Sequence, residues 1–186
     1  MTDFRHPSSL RRQRGFSLVE LLAVVTITAI LATAGIAMFR RYITSSRGAE
    51  ATSFLEGLRA AEHRYMSENH TYLNVSTAAG GNAWYPVANP SNQRARWVNT
   101  GHADWANWQQ LGLPLDKTVM FSYLANAGSA GVAMSALQLK NAPVFALPQL
   151  EWYVLQAKGD TNGNGVFAMY ATTSLANEIY SENDGD

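Results

Sequence analysis

A single carboxylate interrupts the apolar segment near the start of this chain. Glu20 lies within the range 16–39, and the residues from Leu21 to Phe39 carry no other charge. An acidic side chain is costly to place in lipid, so an acid in a segment of membrane-spanning length marks a functional position by default. We therefore expect Glu20 to need a partner of opposite charge.

The residues before this segment are basic and end at a Gly15-Phe16 junction. Arginine recurs within residues 1–15, and positive residues beside a membrane segment stay on the cytoplasmic side. The range 16–39 contains 24 residues, which is about 36 Å as an α-helix and enough to cross a hydrocarbon core of about 30 Å. The sequence thus predicts a membrane span with a cytoplasmic N-terminus, followed by an exported remainder.

Elsewhere, the residues that could do chemistry form no catalytic or metal-binding pattern. Cysteine is absent, which excludes thiol chemistry and disulfides, and the histidines fit no H-E-x-x-H spacing. The sequence has no G-x-S-x-G elbow and no phosphate-binding loop. Its formal net charge is zero, so it lacks the basic footprint of a nucleic-acid-binding protein. We predict a protein that is not an enzyme, needs no cofactor and binds no nucleic acid.

Gly15, Phe16, Glu20 and the apolar block that follows them together resemble the type IV pilin and pseudopilin family. Precursors of that family have a short positive leader ending in Gly, called a class III signal peptide. A Phe then becomes the mature N-terminus, and a Glu occupies the fifth mature position. Glu20 is the fifth residue of a chain that begins at Phe16.

The resemblance implies a function in filament assembly. A prepilin peptidase would cleave between Gly15 and Phe16, the new amino group of Phe16 would be methylated, and Glu20 would pair with the N-terminus of a neighbouring subunit. The implied partners are other pilins, in a homo-polymer or a mixed filament, and an inner-membrane assembly platform. The implied location is the inner membrane for the precursor, with its head in the periplasm, and then an extracellular pilus fibre.

Two other interpretations of the same segment stay open. Many major pilins have Gly and Pro where this chain has Ala29 and Ala37, and this difference adds weight to a minor pilin or a type II secretion pseudopilin. An ordinary secretory signal with an A-x-A site at residues 32–34 would instead release a soluble periplasmic binding protein. Glu20 interrupts the apolar core of such a signal, so we favour the pilin interpretation.

The whole sequence predicts an α+β fold, with the lollipop form that the family resemblance implies. Beyond the membrane segment, apolar residues recur at i, i+4, i+7 and i+11, which indicates that one helix continues from Phe16 to about Asn69. These residues are Phe54, Leu58, Ala61 and Tyr65. The predicted organisation is a leader (1–15), a transmembrane and assembly helix (16–39), its amphipathic continuation (40–69), an aromatic-rich loop (70–118) and an antiparallel sheet with a C-terminal tail (119–186).

Tryptophan and arginine are interleaved in the predicted loop. Aromatic side chains beside basic ones can form an adhesive or single-strand-binding surface, and the neighbouring Arg94, Arg96 and Trp97 fit that pattern. Dense tryptophans more often pin a long loop onto a small core, and we favour this second interpretation. The segment 104–111 predicts a short helix with Asp104 as its N-cap.

Strand-forming residues concentrate in the last third of the chain. The ranges 119–125, 151–158 and 166–173 are rich in β-branched and aromatic residues and predict antiparallel strands. The range 130–140 fits a strand or a short helix, and the need for a further neighbour in the sheet favours a strand. The acidic residues from 178 onward indicate a solvated C-terminal tail.

The loop Asp160–Gly165 places oxygen-bearing side chains at alternate positions. Asp160, Asn162 and Asn164 provide hard oxygen ligands of the kind that Ca²⁺ prefers. The string resembles the calcium loops of some pseudopilins in composition alone, since Ala171 stands where an EF-hand has its bidentate Glu. Asn-Gly turns explain the same residues with fewer assumptions. We favour a turn, keep calcium as the alternative and predict no metal site.

Overall fold

The computed structural model describes residues 15–113 and 117–184. Its first element is helix α1, Leu18–Asn69. The predicted long helix is therefore confirmed, with a start two residues after Phe16. No proline occurs before Pro86 in this part of the chain, so no backbone donor is missing along the helix.

The chain divides between Arg40 and Arg41 into two compact units. Within the first, the helical stretch Leu18–Ile36 is long and apolar enough to cross a membrane, and none of it is buried inside the protein. Leu22 and Ile30 are both more than half exposed. Apolar surface is driven out of water, so this stretch requires lipid or other helices around it.

The second unit contains a four-stranded sheet and a two-stranded ribbon. Its strands are β1 (Ala95–Arg96), β2 (Thr118–Val119), β3 (Ser122–Gly128), β4 (Trp152–Gly159), β5 (Ala168–Thr173) and β6 (Ala176–Glu182). The ribbon pairs β1 with β2, and the sheet has the antiparallel order β3-β4-β5-β6. Along the chain, a 3-10 turn (Ala78–Gly81) and helix α2 (Trp105–Gln110) come after α1 and before the four-stranded sheet. The fold class is α+β, as predicted.

An apolar stripe on α1 packs against the sheet. The buried residues of the stripe lie three or four positions apart, at Ala51, Leu55, Leu58 and Ala61. They share one core with sheet residues that include Tyr123 and Leu155. Burying a leucine side chain fully contributes about 1.5–3 kcal/mol, so this stripe fixes the face that the helix presents to the sheet.

The range 130–140 does not form the predicted strand. Two of its backbone amides donate to side chains: that of Gln138 donates to Oε1 of Gln156 at 2.6 Å, and that of Lys140 donates to Oε2 of Glu182 at 2.6 Å. Leu139 is buried in a second apolar cluster with residues of β3 and β5. The segment therefore covers one face of the sheet as irregular chain.

The position beside β5 is taken by residues that the sequence analysis assigned to a solvated tail. Strand β6 pairs with β5, for example through Tyr170 and Ser181. Ile179 packs against the main core and Tyr180 against the second cluster. Most other side chains of β6 are exposed, which is usual for an edge strand. This polarity is why the sequence suggested a tail.

The aromatic side chains of the loop are largely buried. Trp97 and Trp108 are 1% and 0% exposed, and Tyr85 stacks on Trp108 with ring centroids 5.3 Å apart. Aromatic pairs in such arrangements contribute beyond their buried area. The interpretation in which tryptophans pin the loop to the core is confirmed, and these buried rings offer no surface for a ligand.

Asp104 is the N-cap residue of α2, and its side chain joins two parts of the loop. Its side chain makes no capping hydrogen bond to that helix. Oδ1 instead accepts the amide and the hydroxyl of Thr77, at 3.1 and 3.0 Å, and the amide of Ala78 at 3.0 Å. Hydrogen bonds to a charged acceptor are stronger than neutral ones. The predicted N-cap position is therefore correct, but the carboxylate bonds to Thr77 and Ala78 at the start of the 3-10 turn and not to α2.

Candidate functional site

Glu20 and Ser17 form a reciprocal pair at the start of α1. The Ser17 amide donates to Oε2 of Glu20 at 2.9 Å, and the Glu20 amide donates to Oγ of Ser17 at 3.2 Å. This is a capping box, in which two donors left free at a helix N-terminus are satisfied at once. The Ser-x-x-Glu spacing that signals such a box is present in the sequence, and the sequence analysis overlooked it.

The capping box gives the carboxylate a defined place in the single chain. Glu20 lies in the first turn of α1, where the partial positive charge of the helix N-terminus favours an anion. It has no cation among the described residues. The helix start therefore holds Glu20 in position without a counter-ion from the described residues.

The predicted cleavage junction lies directly before this box. Gly15 and Phe16 precede the first helical residue and are both exposed, and the Phe16 side chain is 81% exposed. No atom lies within 4 Å of a Cβ built on Gly15. A peptide bond in exposed, non-helical backbone is the type of site that a peptidase can reach.

The other polar groups of the apolar helix are satisfied by the helix itself. The hydroxyls of Thr26, Thr28 and Thr33 donate to backbone carbonyls three or four residues earlier. Such bonds remove the need for an external partner, which matters in lipid, where no water is available. Glu20 is the one charged residue in the sequence of the apolar stretch Leu18–Ile36.

The Asp160 loop is built as a turn. Oδ1 of Asp160 accepts the Gly163 amide at 2.7 Å, and Oδ2 accepts the Gly165 amide at 3.1 Å. Side-chain oxygens of Asn162 and Asn164 each accept the amide two residues further on, as in Asx turns. Among the described residues, no group of three or more His, Cys, Asp or Glu side chains could hold a metal ion. The geometry supports the turn interpretation, and calcium binding stays an untested alternative.

A buried carboxylate that the sequence analysis did not single out anchors the loop after α1. Glu62 is 0% exposed, its Oε2 accepts the Leu73 amide at 2.9 Å, and its Oε1 has no hydrogen-bond partner. Burial raises the pKa of Glu62 to about 7. Its position on the buried side of α1, next to Ala61, was the only signal available in the sequence.

Comparison with known proteins assigns the N-terminal region. Residues 10–36 match the family model for the prokaryotic N-terminal methylation motif. The chain is 36% identical over 69 residues to the type IV major pilin protein PilA of Myxococcus xanthus, covering 37% of this chain and 31% of that protein. It is 31% identical over 88 residues to a fimbrial protein of Neisseria meningitidis, covering 47% of this chain and 48% of that protein. The N-terminal part of the chain is thus similar to the type IV pilins.

A third relative is the type IV major fimbrial protein FimA of Dichelobacter nodosus, 45% identical over 47 residues, or 25% of this chain and 29% of that protein. The chain thus spans less than half the length of each of these curated relatives. No solved structure matches it significantly. The relatives are named as pilins and fimbrial proteins, which agrees with the prediction of a structural protein rather than an enzyme.

Proposed function

We propose that this protein is a structural subunit of a type IV pilus. Its precursor is anchored in the inner membrane by α1, cleaved after Gly15 by a prepilin peptidase and methylated on the amino group of Phe16. Subunits then leave the membrane and pack through their apolar helices into an extracellular fibre. In that fibre Glu20 pairs with the N-terminus of a neighbouring subunit.

The observation that carries this proposal is the exposed apolar helix with a charged group at its first turn. The stretch Leu18–Ile36 has no burial within the chain, and its threonine hydroxyls are internally satisfied. Packing such helices against one another replaces lipid with protein, and a charge left in that environment requires an opposite charge. The free amino group made by cleavage at Phe16 provides one.

The test is the variant Glu20→Ala in the full chain. We expect normal membrane insertion and normal cleavage, because the junction at Gly15 and the apolar segment are unchanged, but a loss of the subunit from sheared surface filaments. Thr26→Ala is the matched control, since Thr26 bonds to its own helix and its removal leaves no charge unpaired. Filaments of normal yield from Glu20→Ala would contradict the proposed pairing.

The first residue of the mature protein distinguishes cleavage by a prepilin peptidase from cleavage of an ordinary secretory signal. Mass analysis of wild-type protein should give a chain that begins at Phe16, and substitution of Gly15 should leave a longer product that keeps the leader. A mature start at residue 35 would instead identify an ordinary secretory signal.

A pseudopilin of a secretion system is the alternative function, and it predicts the same cleavage. The alanines at positions 29 and 37 favour it, whereas the named pilus and fimbrial relatives favour the pilus subunit. Shearing separates the two. A pilus subunit appears in the sheared fraction, whereas a pseudopilin stays with the envelope and its deletion blocks export of other proteins.

A further inference from the structure

A cleft lies within the irregular chain between β3 and β4. Its walls are two arms of that chain, a first arm (133–137) and a second arm (142–147), and neither arm contains a turn or a bend. A turn at residues 140–141 joins the arms, and a hydrogen bond of 2.8 Å from the Gly131 amide to the Pro148 carbonyl closes their other end. The cleft has a volume of about 310 Å³, at the lower end of the range for ligand sites, which is roughly 300–1,000 Å³.

The backbone of both arms lacks partners. The amides of residues 133–137 and 144–147 make no hydrogen bond with any described residue, and both arms lie wholly within the described part of the chain. Unpaired backbone donors and acceptors along a straight segment are a template for another strand. The range 130–140 also has the apolar composition that favoured a strand in the sequence analysis, yet no strand of this chain lies beside it.

The first arm is held in place by side chains of β4. Nε2 of the buried Gln156 donates to the Ala136 carbonyl at 3.3 Å, and its Oε1 accepts the Gln138 amide. The Trp152 indole donates to the Val132 carbonyl at 3.0 Å. Because these bonds fix the arm relative to the sheet before a partner arrives, less conformational entropy is lost on binding.

The side chains of the cleft favour an uncharged ligand. Ser135 is the one lining residue with a polar side chain, and none of the lining residues is charged. Every other polar atom of the walls therefore belongs to the backbone. A charge on the ligand would lose its hydration without gaining a partner, and a lipid chain would leave the backbone groups without hydrogen bonds. An extended peptide avoids both costs.

We propose that the cleft binds an extended, uncharged peptide segment of a partner protein, which pairs its backbone with the arms as an added β-strand. In this mode of recognition, main-chain hydrogen bonds provide the affinity and apolar walls accept alternate side chains of the peptide. Val144, which is 98% exposed in the single chain, becomes covered. The inference is independent of the proposed pilus function, since every residue involved lies in the second unit.

The test measures binding of a defined peptide to the mature full-length chain in lipid nanodiscs. The probe is a short peptide of alternating valine and threonine, blocked at both ends and labelled with a fluorophore. We expect saturable binding, together with slower hydrogen exchange at the amides of residues 144–147. The same peptide with alternate amides N-methylated keeps its side chains but loses the donors along one edge, and it should bind several-fold more weakly.

Variants of the second arm provide a further measurement. Ala146→Asp places a charge in the cleft and should weaken peptide binding several-fold. Gln149→Asp is the matched control, because residue 149 is exposed and lies outside the lining, and it should bind like wild type. Ala146→Pro removes the amide at the same position and should also weaken binding. Ala146 is exposed, so circular dichroism should show that all three variants keep the wild-type melting temperature.

Several results would overturn the proposal, and none of them depends on how the variants fold. One is the absence of peptide binding to the wild-type chain. Equal affinity for the N-methylated peptide would mean that apolar contact acts without backbone pairing. Slow exchange of residues 144–147 before peptide is added would identify lipid as the occupant. Exchange that slows with rising protein concentration would identify a second copy instead of a partner protein.

Discussion

Glu62 is the residue whose chemistry departs furthest from that of an ordinary surface acid. It is enclosed between α1 and the chain that follows it, where it accepts the Leu73 amide. Burial raises the pKa of the Tyr72 hydroxyl, and the negative charge of the nearby Glu62 raises it further. A buried carboxylate with a free oxygen and no cation is most stable in its neutral form.

This environment makes the stability of the second unit depend on pH. The pKa of Glu62 is raised from 4.5 to about 7, so its contribution to stability is fully present below pH 4.5 and is lost as the pH rises through 7. The loss is of order 3 kcal/mol, from roughly 1.4 kcal/mol per pKa unit. Glu62→Gln keeps an acceptor for the Leu73 amide and removes the titration.

We therefore expect Glu62→Gln to raise the melting temperature at pH 8 by several degrees and to change it much less at pH 4.5. Thermal unfolding followed by circular dichroism across this range measures both values. Glu68→Gln, at an exposed position of the same helix, should leave the pH profile unchanged. A Gln variant that keeps the wild-type loss of stability between pH 4.5 and 8 would contradict the assignment to Glu62.

At the scale of elements, two glycines of α1 have opposite surroundings. A Cβ on Gly48 would lie 2.6 Å from the Tyr170 hydroxyl and 3.0 Å from Oδ1 of Asp184, which themselves share a hydrogen bond of 2.7 Å. A Cβ on Gly57 would meet nothing within 4 Å. Gly48 thus allows helix and sheet to approach closely, whereas no described residue packs against α1 at Gly57.

Alanine at these two positions should have effects of opposite sign. Gly57→Ala should stabilise the protein by up to about 1 kcal/mol through helix propensity. Gly48→Ala should destabilise it by about 1–3 kcal/mol, because crowding with the Tyr170 ring outweighs the same gain. Chemical denaturation of both variants in detergent measures the difference, and stabilisation by both alanines would contradict the tight packing of α1 on β5.

The strands show that assigning a strand from the sequence depends on the segments that pair with it in the sheet. The ranges 151–158 and 166–173 contain most of β4 and β5, whereas 119–125 is divided between the end of β2 and the start of β3. Most of their side chains are buried. Segment 130–140 has the same apolar character but binds side chains of its neighbours. β6 has exposed or half-buried side chains, and only its pairing with β5 makes it a strand.

At the scale of the whole molecule, the packed core belongs to one unit. The buried apolar residues run from Ala51 to Ala171, and all of them lie after the division between Arg40 and Arg41. The apolar stretch Leu18–Ile36 contributes none of them. The second unit therefore has the core of a domain that can fold alone.

We expect a chain that begins at Arg41 to be soluble, monomeric and cooperatively folded, because its core is complete without the apolar stretch. Its melting temperature should lie within a few degrees of that of the mature protein in detergent. Gel filtration and calorimetry make this comparison, with Leu155→Ala as a control that opens a core cavity and costs about 2–5 kcal/mol. A fragment that aggregates or melts without cooperativity would mean that the membrane half supports the fold.

The candidate site was readable from the sequence because its chemistry is local. Gly15, Phe16 and Glu20 lie within six residues of one another, and a lone acid in an apolar helix is unusual wherever the helix lies. The length of α1 was readable too, since its apolar spacing and lack of proline act along the chain. These features depend on neighbours within a few residues.

Tertiary structure alone decided the features that depend on distant partners. It placed Glu62 against Leu73, bonded the Asp104 carboxylate to Thr77 rather than to α2, and made a strand of β6. Burial and pairing are properties of segments far apart in sequence, and no local pattern of residue types encodes which of them will meet.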